Sequence, residues 1–151
     1  MNIIIKKNLN CLLNKNIFIK IINILTKNGK KTQAEKILLK ILVLLKKNNK
    51  NPIKIILTSL ENSKPLLILR TQKKRKITRI IPTPINKKKQ INYGILNLIN
   101  ITKKKIKKPM HLQLLNEILN TYNDQGTIIA YKEQLYKTAN ENKLLTRYSK
   151  K

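Results

Sequence analysis

The side chains of this chain that could do chemistry are almost all cations. Lys and Arg number 34 against 6 Asp and Glu, a formal net charge of +28 over 151 residues. Lysine offers a mobile point charge and arginine a rigid fork, so a lysine-dominated set suits phosphates, which position a protein but carry little sequence information. The candidates fall in runs: Lys30-Lys31; Gln72-Lys73-Lys74-Arg75-Lys76, with Arg70 before it and Arg79 after it; Lys87-Lys88-Lys89; Lys103 to Lys108; and Lys143 with Arg147. Catalysis finds no comparable support. The six acids are scattered and offer no convincing general acid/base pair. His111 stands alone, which suits a cap or a surface site, and neither a glycine-rich phosphate loop nor a Ser/His/Asp arrangement is present. The single cysteine, Cys11, excludes an internal disulfide and a cysteine metal site and reads as a small hydrophobe. The expectation is a protein that is not an enzyme and has no cofactor or metal.

A compact body with this charge repels itself, so a polyanion that neutralises it is the natural working partner. Nucleic acid leads and an anionic membrane surface follows. Before residue 100 the only acids are Glu35 and Glu61, whereas Glu117, Asp124, Glu133 and Glu141 lie after it. The amino-terminal two thirds should therefore carry most of the polyanion contact. No stretch reaches the roughly 18 uncharged apolar residues that a membrane span needs. The opening MNIIIKKNLNCLLNKNIFIK has lysines in every apolar run, no small-residue cleavage site and no arginine. It fits neither a secretory signal nor a mitochondrial import sequence. Heavy use of Ile, Lys and Asn suggests an AT-rich genome, organellar or bacterial.

The elements that must hold these cations follow from periodicity. Pro65 to Pro84 alternates apolar and polar residues at its flanks, Leu67, Leu69 and Thr71 on one side and Ile77, Arg79 and Ile81 on the other, which is the period of strands. This predicts a two-stranded ribbon with a cationic tip, and a lone ribbon of that length is marginal unless something carries it. Helical patterns flank it. Residues 1–14 read as an arm. Ile17, Ile21, Ile24 and Leu25 mark a helix from Lys15, stopped by Asn28-Gly29. Thr32-Gln33-Ala34-Glu35 reads as a capping box, opening a helix with the stripe Ala34, Ile37, Leu38, Ile41, Leu42 and Leu45. Val43 and Leu44 widen that stripe and predict burial on more than one side.

Asn51-Pro52 predicts an N-cap with proline at the first helical position, Ile53, Ile56, Leu57 and Leu60 the inward face, and Lys64-Pro65 the stop. A fourth helix opens at Lys87 with Ile91, Ile95, Leu98 and Ile99 inward, and Lys103 to Lys108 reads as a loop. Pro109 starts a fifth helix with the stripe Leu112, Leu115, Leu119 and Tyr122, and Gly126 punctuates it. A polar sixth, Tyr131 to Tyr148, has a weak inward face of Leu135, Ala139, Asn142 and Leu145 and a favourable Glu133–Lys137 pair. The fold class predicted is mainly α: one domain of about six helices with a protruding β-hairpin between the third and fourth.

Lys30 and Lys31, at the joint of two helices, can project together from a tight corner. Lys87, Lys88 and Lys89 sit at a helix N-terminus, where cations are disfavoured unless phosphates lie there. Arg70 is a fork for a phosphate or a base edge, or else rests on Glu61 or in solvent. Lys103 to Lys108 is a contact or a free loop. Lys143, Arg147 and Tyr148 can meet RNA, the tyrosine by stacking a splayed base or else by packing.

At this point the chain resembles a known family. Ile22-Asn23, Asn28-Gly29-Lys30-Lys31, Ala34, Asn51-Pro52, Glu61-Asn62-Ser63-Lys64-Pro65 leading to Leu69-Arg70-Thr71, and Pro82 are similar to the bacterial and organellar form of small-subunit ribosomal protein seven. Glu117, Gly126, Lys132-Glu133 and ANENKLLTRY, residues 139–148, match its carboxy-terminal pattern. The resemblance covers roughly residues 17 to 149.

It implies a helical rRNA-binding domain over 15–151 with the hairpin at 66–82, an early binder of small-subunit rRNA that organises the 3′ major, or head, domain. The implied partners are that rRNA, neighbouring small-subunit proteins and, through the hairpin and the last helix, exit-site tRNA and mRNA. Membrane binding and homo-oligomer formation are not implied. The implied place is the ribosome, organellar by preference (mitochondrial, with a plastid as alternative) or in an AT-rich bacterial cytoplasm. Two departures stand out. The family's ribbon turns through paired glycines, and Lys74-Arg75-Lys76 has none, which predicts a longer or looser tip. The family's arginine- and proline-rich arm is replaced by Ile, Lys and Asn. A DNA-compacting nucleoid protein and a membrane-surface amphipathic protein are the competing readings.

Overall fold

In the computed structural model, residues 15–47, 51–74, 77–105 and 109–150 are described, with side chains for 17–47, 51–73, 77–105 and 109–146. The expected arm at 1–14, Cys11, Arg75, Lys76 and residues 106–108 lie outside them. Six helices, one hairpin and a terminal 3-10 segment follow in order: α1 Lys15–Leu25, α2 Lys31–Lys47, α3 Pro52–Ser63, β1 Leu67–Lys74, β2 Ile77–Pro84, α4 Lys87–Lys104, α5 Met110–Tyr122, α6 Thr127–Glu141 and the 3-10 turn Lys143–Lys150. The mainly helical class and the hairpin between third and fourth helices are as the periodicity predicts.

The first five helices pack around one apolar centre. Phe18, Ile21 and Leu25 of α1 meet Leu38, Ile41 and Leu45 of α2, Ile56 of α3, Ile95 and Ile99 of α4 and Leu114 of α5, all buried. Losing one of these to alanine costs about 2–5 kcal/mol, because the cavity only partly closes. Buried hydroxyls are satisfied within their own helices: Ser59, Ser63, Thr102 and Thr121 donate to carbonyls three or four residues back at 2.6–2.9 Å. That back-bonding removes most of the penalty of burying them. The hairpin is rooted rather than free. Pro65, Ile81, Pro82 and Ile85 are buried at its base, while Ile77 and Ile80 farther out are exposed.

Local details depart from the sequence reading for identifiable reasons. The helix predicted to open with a Thr32 cap starts at Lys31. The Lys30 carbonyl takes the Ala34 N–H, so Thr32 is inside the first turn, exposed, and the capping box is not made. Val43 is 49% exposed, so α2 buries one stripe rather than several sides. In α3 the buried positions are Ile55, Ile56, Ser59, Leu60 and Ser63; Ile53 and Leu57 are half-buried. Asn51 precedes Pro52 as predicted but gives no side-chain cap bond.

The fifth stripe is rotated. Leu112, Leu115, Leu119 and Tyr122 are half-buried, and Gln113, Leu114, Glu117, Ile118 and Thr121 are inside. Of these, Glu117 meets Lys105 and Thr127 from outside the helix and the Thr121 hydroxyl bonds back to the Glu117 carbonyl, whereas the buried Gln113 Nε2 has no partner among the described residues. Lys103 and Lys104 end α4 instead of forming a loop, where cations suit the helix dipole. The sixth helix begins at Thr127, before the expected Tyr131, and yields to the 3-10 turn after Glu141. Glu133 and Lys137 are both exposed and form no ion pair. Finally, β1 and β2 stay in register out to Lys74 opposite Ile77, so the connection is only the two residues 75–76, not a longer tip.

Candidate nucleic-acid interface

The corner between α1 and α2 turns on Asn28 and Gly29, whose φ values are 53° and 72°. Glycine takes that left-handed conformation without the steric cost other residues meet. The Lys31 N–H reaches back to the Gly29 carbonyl at 2.8 Å, and Lys30 and Lys31 stand out as exposed side chains. Neither pairs with an acid among the described residues.

On the hairpin, the register sets Arg70 opposite Ile81, Gln72 opposite Arg79 and Lys73 opposite Thr78. Directly opposed residues share a face and neighbours alternate. Arg70 and Arg79 therefore lie on one face and Lys73 on the other. Arg70 and Lys73 are exposed and Arg79 is half-buried. The backbone of Lys74 pairs with Ile77; the Lys74 side chain and the whole of Arg75 and Lys76 are outside the described residues.

Lys87, Lys88 and Lys89 form the exposed first turn of α4, which holds no acid. Its N-cap, Asn86, makes no side-chain cap bond. Instead the Gln90 amide donates to the Ile85 carbonyl at 2.8 Å, fixing the exit from β2 to the start of the helix. Three cations at the positive end of a helix dipole are a standing demand for anions. Lys143 is exposed at the start of the 3-10 turn, which packs along β2. The Arg147 side chain is outside the described residues.

Two groupings result. The hairpin and the terminal segment are neighbours through β2, a proximity no local pattern in the sequence carries. The Lys30–Lys31 corner joins α1 to α2, neither of which packs on the hairpin, and the Lys87–Lys89 turn opens α4, on which α1 packs.

Within the chain this charge is barely compensated. Among the described residues the ion pairs are Lys64 with Glu61, exposed at 3.4 Å, and Lys105 with Glu117. The alternative that Arg70 rests on Glu61 is not formed; Glu61 pairs with Lys64. The Lys105–Glu117 pair, absent from the sequence reading, is structural. Glu117 is 3% exposed, and the Thr127 hydroxyl donates to its Oε2 at 3.1 Å, so one carboxylate joins the end of α4, the middle of α5 and the start of α6.

Sequence reasoning also missed what aims the hairpin. The Leu66 N–H donates to the Tyr136 hydroxyl at 3.1 Å. Lys132 Nζ donates to the Asn62 carbonyl at 2.8 Å, and Asn62 Nδ2 to the Thr121 carbonyl at 3.1 Å. These bonds span some 60–70 residues; the resemblance touched them only through Asn62 and Lys132.

Among the described residues no group of His, Cys and acids could hold a metal, and no helix is long and apolar enough to cross a membrane.

A family model described as ribosomal protein S7p/S5e matches residues 4–143. The small ribosomal subunit protein uS7 of Geotalea uraniireducens is 30% identical over 130 residues, 85% of this chain and 83% of that one. The uS7 of Metamycoplasma arthritidis is 30% identical over 136 residues, 89% and 87% of the two chains. That of Thermotoga maritima is 28% identical over 130, covering 85% and 84%.

Proposed function

The chain belongs to the ribosomal protein S7p/S5e family and is a structural constituent of the small ribosomal subunit, not an enzyme; from that premise we propose that it is a primary rRNA-binding protein that organises the head domain. The supporting observation is the charge: +28 overall, with exposed cations at the α1–α2 corner, on the hairpin and in the first turn of α4. Converging RNA backbones are what such a surface neutralises. The contacts assigned are Lys30, Lys31, Arg70, Lys73, Lys74, Arg75, Lys76, Arg79, Lys87, Lys88, Lys89, Lys143 and Arg147. The hairpin, with the terminal segment along β2, reaches toward exit-site tRNA and mRNA, and residues 1–14 act as an arm. Neighbouring small-subunit proteins are the other partners, and the chain works as one copy.

The ribosome we propose is organellar, mitochondrial by preference, in keeping with the AT-rich genome that the Ile, Lys and Asn bias suggests; the relatives named above are bacterial. Sedimentation of the protein with mitochondrial ribosomes is expected, and its recovery from bacterial or plastid particles would refute that assignment.

Competition at rising salt tests the rRNA reading, using a small-subunit head fragment, an unrelated structured RNA and duplex DNA. The head fragment should be retained to higher salt than the other two. Equal retention of all three would reduce the protein to a generic polyanion binder, the nucleoid-type alternative. Lys30→Ala and Lys31→Ala should each lower the slope of log affinity against log salt by about one, the loss of one phosphate contact. An unchanged slope removes that lysine from the interface.

A further inference from the structure

Beside the root of the hairpin an open groove of about 670 Å³ lies between β1, α4 and α6. Its size is within the roughly 300–1,000 Å³ of small-ligand sites. Two tyrosines from different helices line it, Tyr93 of α4 and Tyr131 of α6, and Tyr131 keeps 46% of its surface exposed. Amides make up much of the polar wall: Asn97, Asn100 and Gln134. Among the described residues, the side-chain amides that donate within the protein belong to Asn62, Gln90 and Asn142. Those of Asn97, Asn100 and Gln134 have no hydrogen-bond partner among the described residues. Exposed Arg70 stands at the edge, and no acid lines the groove.

Each part of this lining asks for a piece of the same ligand. Ring faces take a flat π-system by stacking. Amides present a donor and an acceptor together, which is what the edge of a nucleobase offers in return. Arg70, on a chain of +28, asks for a negative group. An acidic peptide would satisfy the arginine but leave the rings and amides without flat, edge-on partners.

We propose that this groove seats one unpaired nucleotide of the small-subunit rRNA, its base stacked against Tyr131 and Tyr93, its edge met by Asn97, Asn100 and Gln134, and its phosphate by Arg70. The inference rests on the rRNA-binding reading and adds to it a point of base contact, where the lysine clusters supply only backbone contacts.

The test uses the full chain with the head-domain rRNA fragment and, separately, a five-nucleotide single-stranded ribo-oligomer carrying 2-aminopurine. Wild-type protein should shield one unpaired base of the fragment from base-face methylation. Tyr131→Leu should expose it, and Tyr131→Phe should restore the shielding, because the ring stacks without its hydroxyl. Tyr131→Leu and Tyr93→Leu should each bind the oligomer roughly ten-fold more weakly, the scale of one lost stack, with the salt slope unchanged. Arg70→Gln should lower that slope by about one.

Identical shielding and affinity in both leucine variants would overturn the proposal. So would variants that keep the shielding but lose a neighbouring small-subunit protein, which would make the groove a protein dock. Wild-type protein that does not prefer the head fragment over an unrelated RNA sinks the rRNA reading and this proposal with it. Loss of stacking alone sinks only the groove.

Discussion

Glu117 is 3% exposed in the middle of α5, and a carboxylate is tolerable there because two donors meet it, Lys105 Nζ and the Thr127 hydroxyl. Lys105→Met withdraws the charged donor and leaves the carboxylate half-satisfied. The cost should be about 1–3 kcal/mol, the penalty for stranding a buried polar group, read as a lower urea midpoint at unchanged m-value. Replacing both partners, as Lys105→Met with Glu117→Leu, should recover most of that loss, since a buried ion pair exchanged for apolar side chains is often neutral. A double variant as unstable as the two losses added would mean that the pair does not act as a unit. Gly94 is another residue whose identity is dictated by contact. A β-carbon there would come within 3.0 Å of Ser63 Oγ and 3.5 Å of the Lys64 nitrogen, so glycine lets α4 lie close on the end of α3. Gly94→Val should destabilise by about 1–3 kcal/mol through overpacking; an unchanged midpoint would show that the two helices can separate freely.

The hairpin is an element whose strands are local but whose direction is not. Its pairing was legible because alternation and bounding prolines are written within twenty residues. Its aim is set from far along the chain, by Tyr136 and Lys132 of α6. Tyr136→Phe removes the acceptor for the Leu66 N–H, and that amide should exchange markedly faster while core amides of α2 keep their protection. Equal protection would mean that the 3-10 turn along β2 holds the hairpin alone. The two-residue connection invites a second substitution. A short hairpin favours Asn-Gly, which takes positive φ readily, so Arg75→Asn with Lys76→Gly should raise protection at Lys74 and Ile77.

The same distinction between local and distant information explains the rest. α2 and α4 were found because most of their apolar repeats are the buried ones, and α1 through Ile21 and Leu25, although its Ile17 and Ile24 are half-buried and the buried Phe18 was outside the predicted stripe. The face of α5 was misplaced because Gln113, Glu117 and Thr121 are buried polar residues, and a rule that sends apolar residues inward sees neither the Lys105 and Thr127 that meet Glu117 nor the bond from Thr121 back to its own helix. The capping box failed because the corner at Asn28-Gly29 lets the helix start at Lys31, two residues before a Thr32 cap would allow. Of the candidate site, the cation clusters could be read directly. The Tyr93–Tyr131 groove could not, since its two rings are 38 residues apart and meet only once α4 and α6 are in place.

At the scale of the whole molecule the governing quantity is a net charge of +28 on a body whose described acids form just two ion pairs. Unneutralised charge of one sign raises the free energy of the compact state relative to the expanded one. Salt relieves that repulsion, because the screening length falls from about 30 Å at 0.01 M to about 8 Å at 0.15 M. The urea midpoint of the purified protein should therefore rise between those two salt concentrations, the reverse of what loss of stabilising surface ion pairs would give. A polyanion acts by binding rather than by screening. The head-domain fragment at 100 times its dissociation constant should add about 2.7 kcal/mol, if the unfolded chain binds it negligibly. An unfolded polycation also binds RNA, so the measured gain reports how much better the folded arrangement of cations fits than a loose one. A midpoint that does not move with salt would show that repulsion is not a major term. One that rises with salt but not with RNA would mean that the fold adds nothing to charge alone.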